Sequence, residues 1–388
     1  MSITPIYRDE YKNIKIKHQV DTLVKRIIST RLNKENIKYM GNDYLAKDYI
    51  INNCTMVTLW NAACVLPDSS KVLEIGEQVR SNKLSNIVLI TDFDADGLSS
   101  AVVLEKSLSI INPNLVVHTI YNKRIYGTGV TQYCLDRLFF IDKVDLIILA
   151  DHGSSNGEEY DIILERLHNV KIILTDHHQV DYTSMDPVNK HTFPFVNAHR
   201  TDIECGSKLI DKEILRSLSG CCVAYLTMLL LAGHDKYKDL EPLLYLVALS
   251  TISDVMPLDN PVNRFIVRTG FNYMYSQWPE LMNNILKTNK LLPKDLSFGI
   301  IPIINTGNRT NNEDLSYRVI KKDDGAIEEL EKINRSRKYE TRKIVNNLLY
   351  TRDKIEYPHS VIGISDSSYS IAGNIAGNIG ETLNSYIQ

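Results

Sequence analysis

With 388 residues, 44% of them hydrophobic, and a formal net charge of -3, the chain is long enough for two domains, because single cores stop growing beyond roughly 250 residues. The mild acidity excludes a histone-like or strongly basic nucleic-acid coat, although a local basic cleft can coexist with an acidic metal site. Six cysteines without CxxC spacing read as reduced core thiols, and no window approaches the ~18 apolar residues that a membrane span requires. A cytoplasmic protein of a bacterium or a phage-infected cell, with no membrane partner, is expected.

Residues 1–84 carry apolar positions at helical spacing, as in Met56, Leu59 and Ala63 or Val72, Ile75 and Val79, and predict a helical N-terminal layer without visible chemistry. From Asn86 short apolar runs take over: NIVLIT, NLVVHTIY, VDLIILA, VKIILT and FPFVNA, separated by stretches of helical length. Strands apolar at every position are buried on both faces, which predicts an α/β fold with a parallel, doubly wound sheet over roughly 86–200. The helical section from Lys212 to about Met282, with AYLTMLLLA and LLYLVALSTI, is expected to cover that sheet. Residues 326–350 form a charged amphipathic pattern that fits either a solvated surface helix or a long helix joining two domains. The last segment, from Val361, opens like a strand, loop and helix and then stops, as though cut inside a domain.

Chemistry is concentrated at strand ends. Asp92, Asp94 and Asp96 follow the first apolar run in TDFDADG, and three carboxylates so close repel one another unless a cation sits among them. An EF-hand calcium loop is excluded, because it needs an entering helix and a Glu at loop position twelve, where Val103 stands. Asp151, His152 and Gly153 follow VDLIILA, and Asp176, His177 and His178 follow VKIILT. Each Asp alone is an everyday helix cap. Groups at the carboxyl ends of parallel strands converge on one crevice, so their recurrence points to a shared centre. Asp254, where an apolar helical run ends, completes the set. Carboxylates with one or two imidazoles suit Mn²⁺, with Mg²⁺ at the more oxygen-rich position, whereas thiolates for structural zinc are missing. Asp92, Asp94, Asp96, Asp151, His177 and Asp254 suffice for two divalent cations, the arrangement that serves phosphoester hydrolysis.

In this order DFDADG, DHG, DHH and ALSTISDVMPL resemble motifs I to IV of the DHH phosphoesterases, and ALSTISDVMPLDNPVNR is similar to the RecJ-like single-strand DNA exonucleases within that superfamily. IYNKRIYGTG, FVNAHRTD, LSGCCVAY and FGIIPIINTGNR extend the resemblance over roughly 55–388. It implies Asp94, Asp96, Asp151, His177 and Asp254 as metal ligands with Asp151 bridging, Asp92 as a ligand or adjoining acid, and Asp176 orienting an imidazole. His178 would contact the scissile phosphate, and Asn305 and Arg309, read as parts of a loop, would hold a DNA phosphate. Arg124 and His199 are further candidates, and His152, where many relatives carry another residue, is a candidate ligand or phosphate contact. The implied division is a DHH domain over 85–320, a connecting helix over 321–350 and a partial DHHA1-like domain over 351–388, which ends before that domain's glycine-rich substrate motif.

The implied activity is removal of nucleotides from single-stranded DNA, 5′ to 3′, with replication or repair proteins as further partners. Two alternatives remain open: a DHH phosphodiesterase acting on oligoribonucleotides or cyclic dinucleotides, and a non-catalytic DNA-binding scaffold of the RecJ type. High Asn, Lys, Ile and Tyr usage suggests an AT-rich genome.

Overall fold

The computed structural model describes residues 54–180, 193–202, 205–207, 210–279, 291–323, 325–350, 354–357 and 360–363. Most of the expected N-terminal layer, residues 1–53, and most of the expected partial domain after 351 lie outside them.

Two helices open the described chain: α1 (Met56–Cys64) and α2 (Ser69–Arg80), which bury Met56, Leu59, Ala62 and Ala63, then Val72, Ile75 and Val79. The sheet follows as β1 (Asn86–Thr91), β2 (Val116–Tyr121), β3 (Leu146–Ala150), β4 (Lys171–Thr175) and the two-residue β5 (Phe195–Val196). All neighbours are parallel and the order is β2-β1-β3-β4-β5. Helix α3 (Ala95–Ile111) joins β1 to β2, α4 (Gln132–Leu138) precedes β3, and α5 (Gly157–Arg166) joins β3 to β4.

Period-two alternation explains why these strands are apolar throughout. Ile87, Leu89, Leu146 and Ile148 pack into one core with α1, α2 and α3, whereas Val88, Ile90, Ile147 and Leu149 pack into a second core with Cys134 and Leu138 of α4 and Tyr160 and Ile163 of α5. The sheet is therefore α/β and wrapped on both faces.

Beyond the sheet come α6 (Lys212–Arg216), α7 (Gly220–Ala232), α8 (Leu244–Ser253) and α9 (Pro261–Gln277). Every residue of α7 is buried, so its sequence is apolar on all sides rather than along one stripe. Then α10 (Ile301–Arg309), α11 (Glu313–Ile320) and α12 (Ala326–Tyr350) pack together. Helix α12 buries Ala326, Leu330, Asn334, Thr341 and Val345, a single stripe at three- to four-residue spacing, and exposes much of the remainder. A hairpin of β6 (Lys354–Tyr357) and β7 (Ser360–Gly363) ends the described chain. Among the described residues no helix is long and apolar enough to cross a membrane, and none of the six cysteines forms a disulfide.

The strand order changes direction between β1 and β3, which lie side by side while their connections run to opposite ends of the sheet. At such a switch point the loops leaving the carboxyl ends diverge and open a crevice. Both β1 and β3 run directly into an aspartate there.

Candidate metal centre

Thr91 of β1 pairs with Ala150 of β3, so Asp92 and Asp151 leave the sheet from adjacent positions. Asp94 caps α3, its Oδ1 accepting the amides of Asp96 (2.9 Å) and Gly97 (3.0 Å). The turn folds so tightly that a Cβ at Gly97 would overlap the Asp92 backbone. Asp96 then points under the helix into the second half of the chain. It accepts the amides of Gly220 and Cys221, each at 2.8 Å, and the Ser250 hydroxyl at 2.5 Å. Those amides belong to the first turn of α7, whose unpaired donors and dipole favour a carboxylate.

Asp151 has φ +65°, a left-handed conformation that Asp tolerates better than most residues. This turns its carboxyl into the crevice, where Oδ1 is buried without a hydrogen-bond partner. His177 meets it there. The ring Nδ1 lies 3.1 Å from the Leu218 carbonyl, which can only accept, so Nδ1 carries the hydrogen. Nε2, on the other side of the ring, faces Asp151 Oδ1 at 3.2 Å, Asp254 Oδ2 at 3.5 Å and Asp96 Oδ2 at 3.9 Å. Three carboxylates and a ring nitrogen directed at one place suit a cation held among them. Asp254 reaches this place from the C-cap of α8, and beside it Val255, 86% exposed, holds the strained φ of +54° for a β-branched residue.

Electrostatics agrees with the geometry. Burial, followed by the neighbouring Asp94, raises the Asp92 carboxyl to about 7; burial and Asp96 raise Asp254 to about 7. Burial and Asp96 also push Asp94 up and Asp151 well up. Acids held this far toward their protonated forms mark a site whose charge is meant to be met by something else. In each of two groups, Asp151 with His177 and His178, and Asp96 with His177 and Asp254, the donor atoms lie within 4.8 Å of one another. Oxygen and imidazole donors without thiolates fit a divalent cation of the Mn²⁺ or Mg²⁺ kind.

The model of the DHH family, N-terminal domain, matches residues 86–251. RecJ of Haemophilus influenzae, a single-stranded-DNA-specific exonuclease, is 27% identical over 252 residues, 60% of this chain and 40% of that one. RecJ of Salmonella typhimurium is 24% identical over 294 residues, 70% of this chain and 48% of that one. Over residues 86–251 the chain thus carries a DHH-family match, and it is similar to the RecJ proteins. A manganese-bound crystal structure of exonuclease RecJ has the same fold, with a TM-score of 0.64 at 23% identity over 82% of this chain and 78% of that one. The matched region spans less than half the length of the two curated relatives.

In this RecJ-like chain Asp176 stands apart from the two donor groups. It accepts the amides of Ser154 (3.1 Å), His177 (2.8 Å) and His178 (3.3 Å), and its Oδ1 is 2.8 Å from His178 Nδ1. Burial would raise its carboxyl, but these partners, the His178 ring foremost, hold it well below the usual range. The same hydrogen bond raises His178 to about 9, and the His178 side chain is 57% exposed toward solvent. Asn197 braces the pair, donating to the His178 carbonyl (2.9 Å) and Ser154 Oγ (3.1 Å).

The remaining candidates divide. His152, the candidate ligand or phosphate contact after Asp151, is only 4% exposed, and burial lowers it to about 4. Asn305 and Arg309 lie on helix α10 and not on a loop, because Thr306 and Thr310 satisfy their hydroxyls on the carbonyls of Pro302 and Thr306, each at 2.8 Å, and continue the helix. Asn305 Oδ1 accepts the Ala95 amide at 3.1 Å and so ties α10 to the DFDADG turn. Burial and the nearby Arg124 lower the Arg309 guanidinium, and burial and Arg309 lower that of Arg337. Arg124, Arg309 and Arg337 thus form a run of positive charge suited to phosphates. His199 turns to the Arg216 carbonyl instead.

Sequence reasoning missed the support beneath the acids: Gly220, Ser219, Ser250 and Asn197. Only LSGCCVAY hinted at it, through a serine and glycine placed where a helix begins. A Cβ at Gly220 would overlap Asp151 Oδ1. Gly220→Ala is therefore expected to displace Asp151 and weaken Mn²⁺ binding roughly 10- to 100-fold, as loss of a ligand-orienting contact does, and calorimetric titration with Mn²⁺ would measure it.

Proposed function

We propose that this chain hydrolyses phosphodiester bonds of single-stranded DNA, releasing nucleotides from the 5′ end with two divalent cations, of which Mn²⁺ is the better fit. The observation that carries the reading is the convergence of Asp96, Asp151 and Asp254 on Nε2 of His177. Asp96, His177 and Asp254 would hold one ion, and Asp151 with Asp92, Asp94 or His178 would contribute to a second, Asp151 being shared. When bound, such a pair acidifies water and neutralises charge on a phosphate. The chain's own groups supply the rest. His178, held protonated by Asp176, offers a hydrogen bond to a phosphate oxygen or to the departing oxygen. Arg124 and Arg309 clamp the phosphate through their forks of donors. The RecJ relatives' specificity for single-stranded DNA supports the choice of substrate.

With Mn²⁺, an internally labelled single strand should shorten while the duplex persists, and a 5′-blocked strand should resist where a 3′-blocked one does not. Hydrolysis of a dinucleotide without hydrolysis of the oligomer would overturn the reading.

A further inference from the structure

The segment leaving β2 holds an aromatic pair that the proposed chemistry does not use. Tyr126 and Tyr133 stack with centroids 4.7 Å apart and planes 15° from parallel. The Arg137 guanidinium lies 3.9 Å from the centroid of Tyr133, and Lys123 Nζ lies 5.9 Å from it. Tyr133 is thus covered, while Tyr126 is 52% exposed and its neighbour Ile125 59% exposed. They border an open cleft of about 460 Å³ that also includes Gln132 and Asp136. The acids nearby already have partners: Gln132 Nε2 donates to Asp136 at 2.6 Å, and Asp314 takes hydrogen bonds from Tyr121 and from Lys123 at 3.3 Å.

The cleft adjoins the candidate metal centre. Tyr121, at the end of β2, pairs with Thr91, the residue before Asp92. Arg124, which shares its field with Arg309, sits in the same 3-10 turn as Tyr126. Tyr126 therefore lies two residues along the same turn from Arg124, beside the positive charge of Arg124 and Arg309.

We propose that Tyr126, backed by Tyr133 and Arg137, is a stacking platform for an unpaired base of the substrate strand, next to the phosphate held by Arg124. This rests on the single-strand reading above and deepens it. Stacking on an aromatic face is tolerant of sequence but needs a base with a free face, so the platform favours unpaired strands over duplex.

The test is binding of a fluorescent twelve-nucleotide strand in EDTA, together with Mn²⁺-dependent turnover. Tyr126→Ala should weaken binding of the strand about tenfold, as removal of one stacked base would, and Tyr126→Trp should restore it. The loss in kcat/KM should be larger on the twelve-nucleotide strand than on a dinucleotide too short to reach the cleft. An abasic site at the stacked position should weaken wild-type binding and leave Tyr126→Ala indifferent. Equal binding by wild type and Tyr126→Ala, while both shorten the strand, would overturn the platform alone. Failure of the wild type to bind or cut any strand would overturn both readings.

Discussion

Asp151→Asn is expected to abolish metal-dependent activity and, in the absence of metal, to make the protein more stable. Asparagine keeps the shape of aspartate and is at home at φ +65°, so the turn after β3 should survive. What disappears is a buried charge whose Oδ1 has no hydrogen-bond partner and whose ionisation is opposed by burial and by Asp96. Without cations that charge is opposed by Asp96, Asp94, Asp92 and Asp176. As the proposed shared ligand it would cost more to lose than the roughly 10- to 100-fold penalty of removing a mere supporting contact. Melting curves at pH 8 should show the variant above wild type in EDTA, each kcal/mol being worth about 1 °C in a chain of 388 residues. With Mn²⁺ the order should reverse. A variant that gains as much from Mn²⁺ as wild type does would remove Asp151 from the centre.

The second large effect is the pH dependence of the metal-free protein. Asp92 and Asp254 are raised to about 7 from an ordinary carboxylate value near ~3.9. A group that binds its proton more tightly when folded stabilises fully below its unfolded value, and that contribution fades as pH climbs through the folded value. His178 has the same sign, its pairing with Asp176 being lost as pH rises through about 9. Stability in EDTA should therefore fall between pH 5 and 9, by about 1.4 kcal/mol per pH unit for each proton of difference. Divalent cations take the place of those protons. Mn²⁺ should raise the melting temperature little at pH 5 and strongly at pH 8, and an equal shift at both values would contradict the coupling.

Much of this centre was legible because the rules that expose it are local. Strands buried on both faces must be apolar throughout, so NIVLIT, VDLIILA and VKIILT announced a parallel sheet. An aspartate at such a strand's end can only sit at the rim of the sheet, which placed Asp92, Asp151 and Asp176 on one side. Asp254 was readable as the end of a helical run. What stayed hidden depends on contacts between distant segments. Nothing in LSGCCVAY says that the amides of Gly220 and Cys221 will meet Asp96, some 124 residues away. The burial of His152 follows from one backbone angle at Asp151, to which the letters DHG are silent. Asn305–Arg309 looked like a loop because Asn, Gly and Thr favour turns, whereas in the folded chain the Thr306 and Thr310 hydroxyls are satisfied on carbonyls four residues earlier and the packing of α10 against α11 and α12 decides for helix.

The grip of α7 on Asp96 determines where this protein can change. Because that helix is enclosed on every side, freeing the carboxylate would mean unpacking the interior, and natural variation in the inner acids should be scarce. The outer margin has no such restraint: Val255 and the exposed arc of α12 are largely open to solvent. Divergence toward substrates of other lengths or shapes is therefore open at the rim while the floor stays fixed.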